Sequence, residues 1–448
     1  MNPLVVGGGI AGLAAACRLA GDGHRPHLLE RAPHLGGRAG SFYDRHLEET
    51  VDFGQHVLMG CCTAARGFLK RIGAEEMLSL QPSLSIPVRC ETRRTILRSS
   101  PLPGPLHLLP SLLRYAPLSP AQRVAVLRAA VALLAARERT LESRSFGGWL
   151  KAHRQSDAAI TRLWDPICIA ALNAPAGDVS AGAARMVFAE AFFRPGGANL
   201  GCFTRPLSDV AAAAADYIRS HGGLVKTGAA VRRIVIEEAG VRGVELSDGR
   251  VLESSAVVSA VPPDDLAALV PADSAPAEIA DRARRLAWAP IVNVHLWFDR
   301  PVTDVPFFIA VDAPIQAVFD VSRLHAADPA DGRHHIVVSQ SAAEDWMGRS
   351  DDEIATFVRD ALAVLEPGTQ RANLLQVRVL RHPQATFVPA PCSPELRPAV
   401  ATPVRGLTLA GDWTWTGWPS TLESAVRSGV AAAARLNLPL ESDEPNAD

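Results

Sequence analysis

A glycine-rich turn between a short apolar strand and an alanine-rich helix opens the chain, and it constrains the fold more than any other feature. The strand is predicted over 3–6, and Gly7, Gly9 and Gly12 follow it with the spacing G-x-G-x-x-G. The first glycine permits a tight turn, the second lets the main chain approach a pyrophosphate, and the third lets helix and strand pack closely. We therefore predict a Rossmann-type α/β unit that binds a dinucleotide.

The start of this helix and the end of the next strand supply further predicted contacts. Ile10 and Ala11 present main-chain N–H groups at the positive end of the helix dipole, where a pyrophosphate binds. The second strand ends in Glu30, eighteen residues after Gly12, and a carboxylate there can accept hydrogen bonds from the adenosine ribose. We include Glu30 and the adjacent Arg31 in the predicted site.

Two more segments bear on the choice between FAD and NAD. The first contains Gly37 and Arg38, whose guanidinium group can bind oxygens of the same pyrophosphate. The second, near the end of the chain, contains Gly411 and Asp412 at the end of a predicted strand, where Asp412 is placed to bind a ribityl hydroxyl.

A last helix is predicted to begin near Pro419. The N–H groups at Thr421 and Leu422 would favour negative charge on a reduced flavin. No second G-x-G-x-x-G is present for a pyridine nucleotide. FAD is therefore the predicted cofactor.

Together these segments resemble the flavin-containing amine oxidase and phytoene desaturase superfamily along the whole chain. The middle block, 222–263, is predicted to form successive strands with a hairpin turn at Asp248–Gly249. The resemblance implies that Val231 contacts the adenine through its main chain. It also implies an α/β fold, in which a Rossmann-type FAD-binding domain is interleaved with a mixed α+β substrate domain.

The same resemblance suggests how the two domains divide the chain. The FAD-binding domain is predicted over 1–75, 205–285 and 395–435. The substrate domain is predicted over 76–204 and 286–394. The remaining tail, 437–448, is acidic and is expected to be disordered.

The sequence departs from amine oxidases at two positions that matter for amine substrates. Asn293 stands where the resemblance places a lysine that holds a water near the flavin. Thr421 stands where it places a tyrosine of an aromatic cage. An amine substrate is therefore disfavoured.

The local motifs instead resemble the hydroxysqualene dehydroxylases, also described as squalene-associated FAD-dependent desaturases. The similar segments are VDFGQHVLMGCC (51–62), LPGPLHLLPSLLRYAPLSPAQR (102–123), LWDPICIAALNAP (163–175) and GDWTWTGWPSTLESAVRSG (411–429). Phe53, Trp418 and Ser424 depart from that family's pattern of asparagine, leucine and glycine. Trp418 is therefore expected to influence the shape of the substrate channel.

The resemblance implies a reaction in which hydroxysqualene loses its hydroxyl and becomes squalene, before hopanoid synthesis. A C30 hydrocarbon with one polar group needs a long apolar tunnel, and a reactive cation needs a dry site. Two alternatives stay open. One is a carotenoid desaturase that removes hydrogens with oxidised flavin, and the other is a prenyl-lipid carrier without flavin chemistry.

His56 is the candidate acid that protonates the departing hydroxyl, with Gln55 orienting it. The alternative is that Gly54, Gln55 and His56 only contact the flavin or the substrate. Asn173 also has two interpretations, closing a turn before Pro175 or touching substrate.

Residues 101–136 combine a Pro/Leu-rich stretch with a helix in which arginines are spaced among apolar residues. This pattern is typical both of an amphipathic helix at a bilayer surface and of a core helix in the substrate domain. Peripheral contact with the inner face of the cell membrane is therefore one interpretation of a protein expected to be cytoplasmic. Functional coupling to squalene-pathway synthases is a further prediction.

The totals exclude other classes of function. The net charge of −2 gives no basis for bulk attraction to nucleic acid. Seven cysteines without C-x-x-C spacing predict neither a disulfide framework nor a metal site, as expected in a reducing compartment.

Overall fold

The computed structural model describes residues 2–137, 140–194, 196–325 and 332–436. In chain order the strands are β1 Leu4–Val6, β2 His27–Leu29, β3 Ser41–Asp44, β4 Glu49–Asp52, β5 Val57–Met59, β6 Leu78–Leu80, β7 Ser85–Cys90, β8 Arg93–Arg98, β9 Leu200–Phe203, β10 Leu224–Lys226, β11 Val231–Glu237, β12 Gly240–Leu246, β13 Val251–Glu253, β14 Val257–Ser259, β15 Trp288–Phe298, β16 Phe307–Ala310, β17 Ala317–Asp320, β18 His334–Ser341, β19 Leu374–Phe387 and β20 Leu407–Leu409.

The α-helices are α1 Ile10–Gly21, α2 Thr63–Arg71, α3 Leu109–Leu113, α4 Pro120–Ala135, α5 Phe146–Ala152, α6 Asp157–Ala159, α7 Asp165–Leu172, α8 Ala181–Val187, α9 Leu207–Ser220, α10 Pro263–Leu269, α11 Ala275–Ala283, α12 Val321–Leu324, α13 Asp351–Leu365 and α14 Leu422–Arg435. Two π-helical segments, Ile160–Trp164 and Phe188–Phe192, continue α6 and α8. Such segments occur frequently at functional sites.

A five-stranded parallel sheet forms the centre of the nucleotide-binding half, in the order β10-β2-β1-β14-β20. Its strands are fully buried runs such as Leu4–Val6 and Leu407–Leu409, as expected where helices cover both faces. The first and last strands of the chain thus belong to one sheet, with β14 between β1 and β20. This arrangement brings the fingerprint and the Gly411–Asp412 segment to the same edge.

A seven-stranded sheet forms the second half, in the order β19-β15-β18-β17-β16-β7-β8. One face packs on α13 and the other faces the helical layer that contains α5, α7 and α8. Alternate residues of β15 therefore point to different surroundings. Val292 and Val294 lie in the core beside α13, whereas Ile291 and Asn293 line a cavity on the opposite face.

The observed architecture confirms the predicted α/β fold class with a mixed second sheet. The hairpin at Asp248–Gly249 is also confirmed, since β12 and β13 pair on either side of it and Gly249 has φ +86°. The last helix begins at Leu422 rather than near Pro419, because the Thr421 hydroxyl accepts a hydrogen bond from Ser424 N and caps it there. The domain boundaries stay a prediction, and the tail at 437–448 lies outside the described residues.

Gly12 shows why the opening turn needs its third glycine. A methyl group at this position would overlap the carbonyl oxygen of Gly7, which itself has φ +105°. Neither atom can move away easily, because Gly7 N donates to Leu29 O in the parallel sheet. The helix and strand therefore approach each other at main-chain distance.

Asn173 connects the helical layer to the second sheet. It ends α7 in the left-handed conformation, with φ 53°. Its Nδ2 donates to Ala289 O at 3.1 Å and to Thr386 Oγ1 at 2.9 Å, and its Oδ1 accepts from Ala342 N at 2.7 Å. The amide is thus fully used within the protein, which favours the turn-closing interpretation over substrate contact.

We predict that Gly12→Ala loses most of its FAD and unfolds at lower temperature, because the added methyl group forces the turn and helix apart at a cost of about 1–3 kcal/mol. The measurements are the ratio of flavin to protein absorbance and thermal unfolding. Gly67→Ala in α2 is the matched control, since a methyl group there meets nothing within 4 Å. It should keep its FAD and be slightly stabilised. A Gly12→Ala protein with full FAD would contradict the prediction.

We also predict that Asn173→Ala lowers the free energy of unfolding by about 2–4 kcal/mol, because it removes the hydrogen bonds to the buried Ala289 O and the half-buried Ala342 N. Chemical denaturation measures the change. Asn199→Ala is the control. It removes one hydrogen bond from the side-chain amide to Pro82 O and should lower the free energy of unfolding by less than about 1.5 kcal/mol. Equal losses of unfolding free energy in the two variants would show that Asn173 contributes no more to stability than one exposed hydrogen bond does.

Candidate functional site

A single cavity of about 1240 Å³ runs from the edge of the parallel sheet to the helical layer of the second half. Typical ligand pockets hold roughly 300–1,000 Å³. The cavity is lined at one end by Gly9 and Glu30 and at the other by Leu163 and Phe192. It therefore has room for a dinucleotide and a second ligand end to end.

The N-terminus of α1 faces this cavity without any side-chain cap. Gly9 is the N-cap residue, no acidic residue lies in the first turn, and Ile10 and Ala11 line the cavity. A methyl group at Gly9 would meet only the Cα atom of Gly37, at 4.0 Å. The structure thus leaves open N–H groups and space where the predicted pyrophosphate needs them.

Glu30 and Arg31 lie at the same end of the cavity. The Glu30 carboxylate accepts hydrogen bonds from Gly8 N at 2.6 Å and Ala32 N at 2.7 Å, which hold it in place at the end of β2. Arg31 forms a two-bond ion pair with Asp265, with both contacts at 3.0 Å. Val231, at the start of β11, also lines the cavity.

Arg38 and Asp412, which are separated by most of the chain, form an ion pair. Arg38 also donates to Ala385 O at 2.8 Å, and Asp412 accepts a hydrogen bond from Ser420 Oγ. Burial raises the pKa of Asp412, but Arg38 and Ser420 more than offset it, so that the net shift is downward. Asp412 is therefore a buried anion beside Gly411, and Thr421 and Leu422 line the neighbouring wall.

Arg397 also supports the segment around Asp412, although no sequence motif identifies it. Its buried guanidinium donates to Asp412 O at 2.9 Å, Thr414 O at 2.6 Å and Trp418 O at 2.8 Å. It also lies over the Phe387 ring, 4.7 Å from the centroid. Arg397 thus holds the loop between β20 and α14, including Trp418 in the cavity wall, through main-chain groups that a sequence cannot reveal.

Gln55 and His56 both line the cavity, but they have different partners. Gln55 hydrogen-bonds to the buried carboxylate of Asp52, which Leu207 N also binds. The His56 ring hydrogen-bonds to the Arg38 main-chain carbonyl, and burial lowers the pKa of His56 to about 4. His56 is thus neutral near pH 7 and held by Arg38 rather than by Gln55.

Gly54 lies directly under the side chain of Asn293, so that an added methyl group would come within 2.5 Å of Asn293 Nδ2. Asn293 donates to Phe53 O at 3.1 Å, and His382 Nε2 donates to the same oxygen at 3.0 Å. The two side chains therefore fix the main chain just before Gly54. The sequence drew attention to this place only through Asn293, which stands where the resemblance to amine oxidases implies a lysine. No sequence pattern indicated His382.

The far end of the cavity is mainly apolar. Both π-helical segments and the inward face of the second sheet contribute to it, with Leu163, Ile167, Phe192, Ile309 and Phe319 among the lining residues. Within the described ranges, no group of three or more His, Cys, Asp or Glu side chains is placed to hold a metal ion.

Comparison with known proteins agrees with this geometry. The chain matches the flavin containing amine oxidoreductase family over residues 10–437. It is 28% identical to hydroxysqualene dehydroxylase of Sinorhizobium fredii over 96% of this chain and 97% of that protein. It is 26% identical to the 15-cis-phytoene desaturase of Glycine max over 97% of this chain and 79% of that protein.

A solved oxidoreductase from Methanosarcina mazei has the same fold, with a TM-score of 0.76, 20% identity and coverage of 97% of this chain and 100% of that chain. The residues that line the nucleotide end of the cavity fit FAD, since they offer open N–H groups, a buried anion and a nearby guanidinium. The chain therefore belongs to the flavin containing amine oxidoreductase family and is an FAD-dependent oxidoreductase.

Proposed function

We propose that the protein converts hydroxysqualene to squalene by FAD-dependent reductive dehydroxylation. The observation that carries the proposal is the match to hydroxysqualene dehydroxylase along 97% of that protein's length. The four segments that resemble this family support it, because two of them lie outside the nucleotide-binding elements. The 102–123 segment forms α3 and the start of α4, and the 163–175 segment forms α7 and its end at Asn173.

When bound and reduced, FAD would supply a hydride, and one further proton would let the hydroxyl leave as water. The C–O bond breaks, a C–H bond forms at the same carbon, and two electrons pass to the substrate. A cation at that carbon would be captured by bulk water, so the reaction needs a water-excluding site. The apolar side chains at this end of the cavity, among them Ile167, Phe192 and Ile309, support this proposal.

His56 and Asn293 are the polar side chains proposed to lie nearest the reacting part of the substrate. The ring of His56 uses one nitrogen on the Arg38 carbonyl and is neutral, which leaves the other nitrogen to accept a hydrogen bond from a substrate hydroxyl. This geometry favours orientation of the hydroxyl by His56 over donation of a stored proton. Gly54 lets the Asn293 side chain lie against the main chain two residues before His56.

A phytoene-type desaturase is the second candidate, favoured by 15-cis-phytoene desaturases that are 24–27% identical to the chain. Such an enzyme would remove hydrogens from a pure hydrocarbon with oxidised flavin. The same apolar cavity suits either substrate. The flavin-free lipid carrier finds no support, since the chain is an FAD-dependent oxidoreductase.

We predict that reduced enzyme, mixed anaerobically with hydroxysqualene, yields squalene as the flavin is reoxidised. Oxidised enzyme mixed with 15-cis-phytoene should yield no desaturated product. Flavin absorbance and extraction of the products measure both reactions. The reverse pattern, with phytoene desaturated and hydroxysqualene unchanged, would overturn the dehydroxylase proposal and support the second candidate.

The proposal extends to a membrane surface, because the substrate dissolves in lipid. Helix α4 uses Val126, Ala129 and Leu133 as its core face. Other apolar residues of the same stretch of chain are exposed, and we call this set the apolar patch: Leu102, Leu106, Leu113, Val124, Val131 and Leu134. The helix is thus a core helix that also exposes an apolar side.

Charge around the apolar patch favours an anionic bilayer. Arg98, Arg114 and Arg128 are exposed on β8, after α3 and on α4. Tyr115, between α3 and α4, lines the cavity, which connects this region to the substrate end. No helix in the described part of the chain is long and apolar enough to cross a membrane. Coupling to squalene-pathway synthases stays a prediction.

We predict that a triple variant with Leu106→Ser, Leu113→Ser and Val131→Ser binds phosphatidylglycerol vesicles at least about tenfold more weakly than the unchanged protein. The reason is that burying one aliphatic side chain in the bilayer contributes about 1.5–3 kcal/mol to binding. Co-sedimentation measures the binding. The control triple variant, Leu224→Ser, Val251→Ser and Leu375→Ser, removes side chains of similar exposure elsewhere on the surface. Equal binding by both variants and the unchanged protein would refute the membrane surface.

A further inference from the structure

On the inward face of β15, three consecutive side chains of that face carry polar atoms, although the strand is buried and apolar side chains would be expected there. Asn293, His295 and Trp297 occupy alternate positions and therefore share one face of the sheet. Their exposed fractions are 3%, 0% and 1%. The row starts in the cavity wall at Asn293 and runs away from it into the protein.

Each of the three side chains keeps one buried polar atom without a partner among the described residues: Asn293 Oδ1, His295 Nε2 and Trp297 Nε1. An unsatisfied buried polar group costs about 1–3 kcal/mol. Three such atoms on one strand face are not explained by packing alone. Buried water is the usual partner of such groups, typically with about three hydrogen bonds.

A second strand adds a histidine to this row. His335 of β18 lies beside His295, with His295 Nδ1 and His335 Nε2 at 3.0 Å, so that one ring donates to the other. The His335 ring stacks on Trp297, with 4.3 Å between the centroids. Trp297 in turn packs on Leu47 and Val51 at the β3–β4 hairpin, which covers the row from the other side.

The row has one end at the cavity and one nearer the surface. At the cavity end, Asn293 and His382 both bind Phe53 O, three residues before His56. At the outer end, the half-buried His325 follows directly on α12, and His335 N joins β18 to that helix by donating to Ser322 Oγ at 2.9 Å. His325 Nε2 is also buried and without a partner among the described residues.

The rings along this row are neutral. Burial lowers the pKa of His295 to about 3 and also lowers the pKa values of His335 and His325. A neutral imidazole can take a proton at one nitrogen and release one from the other, so that charge is conserved and no electrons move. Among the described residues, the charged groups on neighbouring elements are Arg378, which pairs with His295 in the sheet and binds Asp44, together with Arg333 near His335 and Asp209 near His325.

We propose that His325, His335, His295 and Asn293, with water bound at the unpartnered atoms of His325, His295 and Asn293, form a proton path between the surface and the cavity. Dehydroxylation consumes a proton in a dry cavity, and desaturation releases one. The path therefore rests on the assignment as an FAD-dependent oxidoreductase and holds for either substrate. His295 and His335 act as positioning and relay residues and do not touch the substrate.

The test follows proton uptake without any substrate, so that it is independent of the proposed function. The FAD-loaded enzyme is reduced rapidly with reduced methyl viologen, whose oxidation releases no proton, in weakly buffered solution, and a pH indicator reports the proton that accompanies two-electron reduction. We expect uptake to slow by at least about tenfold in His295→Leu and His335→Leu, and added imidazole to restore most of the rate. FAD content and thermal unfolding show that the variants are intact.

His24→Leu is the matched control, since His24 is also buried and its Nδ1 has no partner among the described residues, but it lies beyond the end of α1. It should take up protons at the rate of the unchanged protein. Unchanged uptake in an FAD-loaded His295→Leu would overturn the path. Should that variant fail to fold, a crystal structure of the unchanged protein without ordered water between Asn293 Oδ1 and His295 Nε2 would overturn it as well.

Discussion

Main-chain contact between three elements of the nucleotide-binding half is the constraint on which the site depends. A methyl group at Gly12 would overlap Gly7 O, and one at Gly429 would overlap Ala11 O, so α1 packs on β1 and α14 packs on α1 without intervening side chains. These contacts set both helix N-termini against one cavity. The first and last segments of the chain thereby form one binding surface.

In the second half of the molecule, hydrogen bonds of polar side chains hold the elements together around the cavity. Asn173 ties the helical layer to β15 and β19, and Arg397 holds the loop that carries Trp418 through three carbonyl oxygens. Asn293 and His382 fix the main chain at Phe53. Through these hydrogen bonds the side chains hold the wall of the cavity in shape.

Sequence patterns predicted the parts of the site that depend on short-range geometry. The spacing of Gly7, Gly9 and Gly12 and the Asp248–Gly249 turn each follow from local main-chain requirements, and the structure has both. The start of the last helix was three residues off, because the Thr421 cap decides it and Pro419 does not. Gln55 and His56 were recognised as a pair, yet the structure gives them separate partners, Asp52 and Arg38.

The sequence by itself therefore determined the dinucleotide-binding unit, its preference for FAD and the order of the segments that form it, since these follow from glycine spacing and from short motifs. Only the tertiary structure decided which distant groups meet: Arg38 with Asp412, Arg397 with the loop before α14, and His295 with His335. The physical reason is that such contacts join elements far apart in the chain. Their geometry is set by sheet order and main-chain packing, which no local pattern of residues specifies.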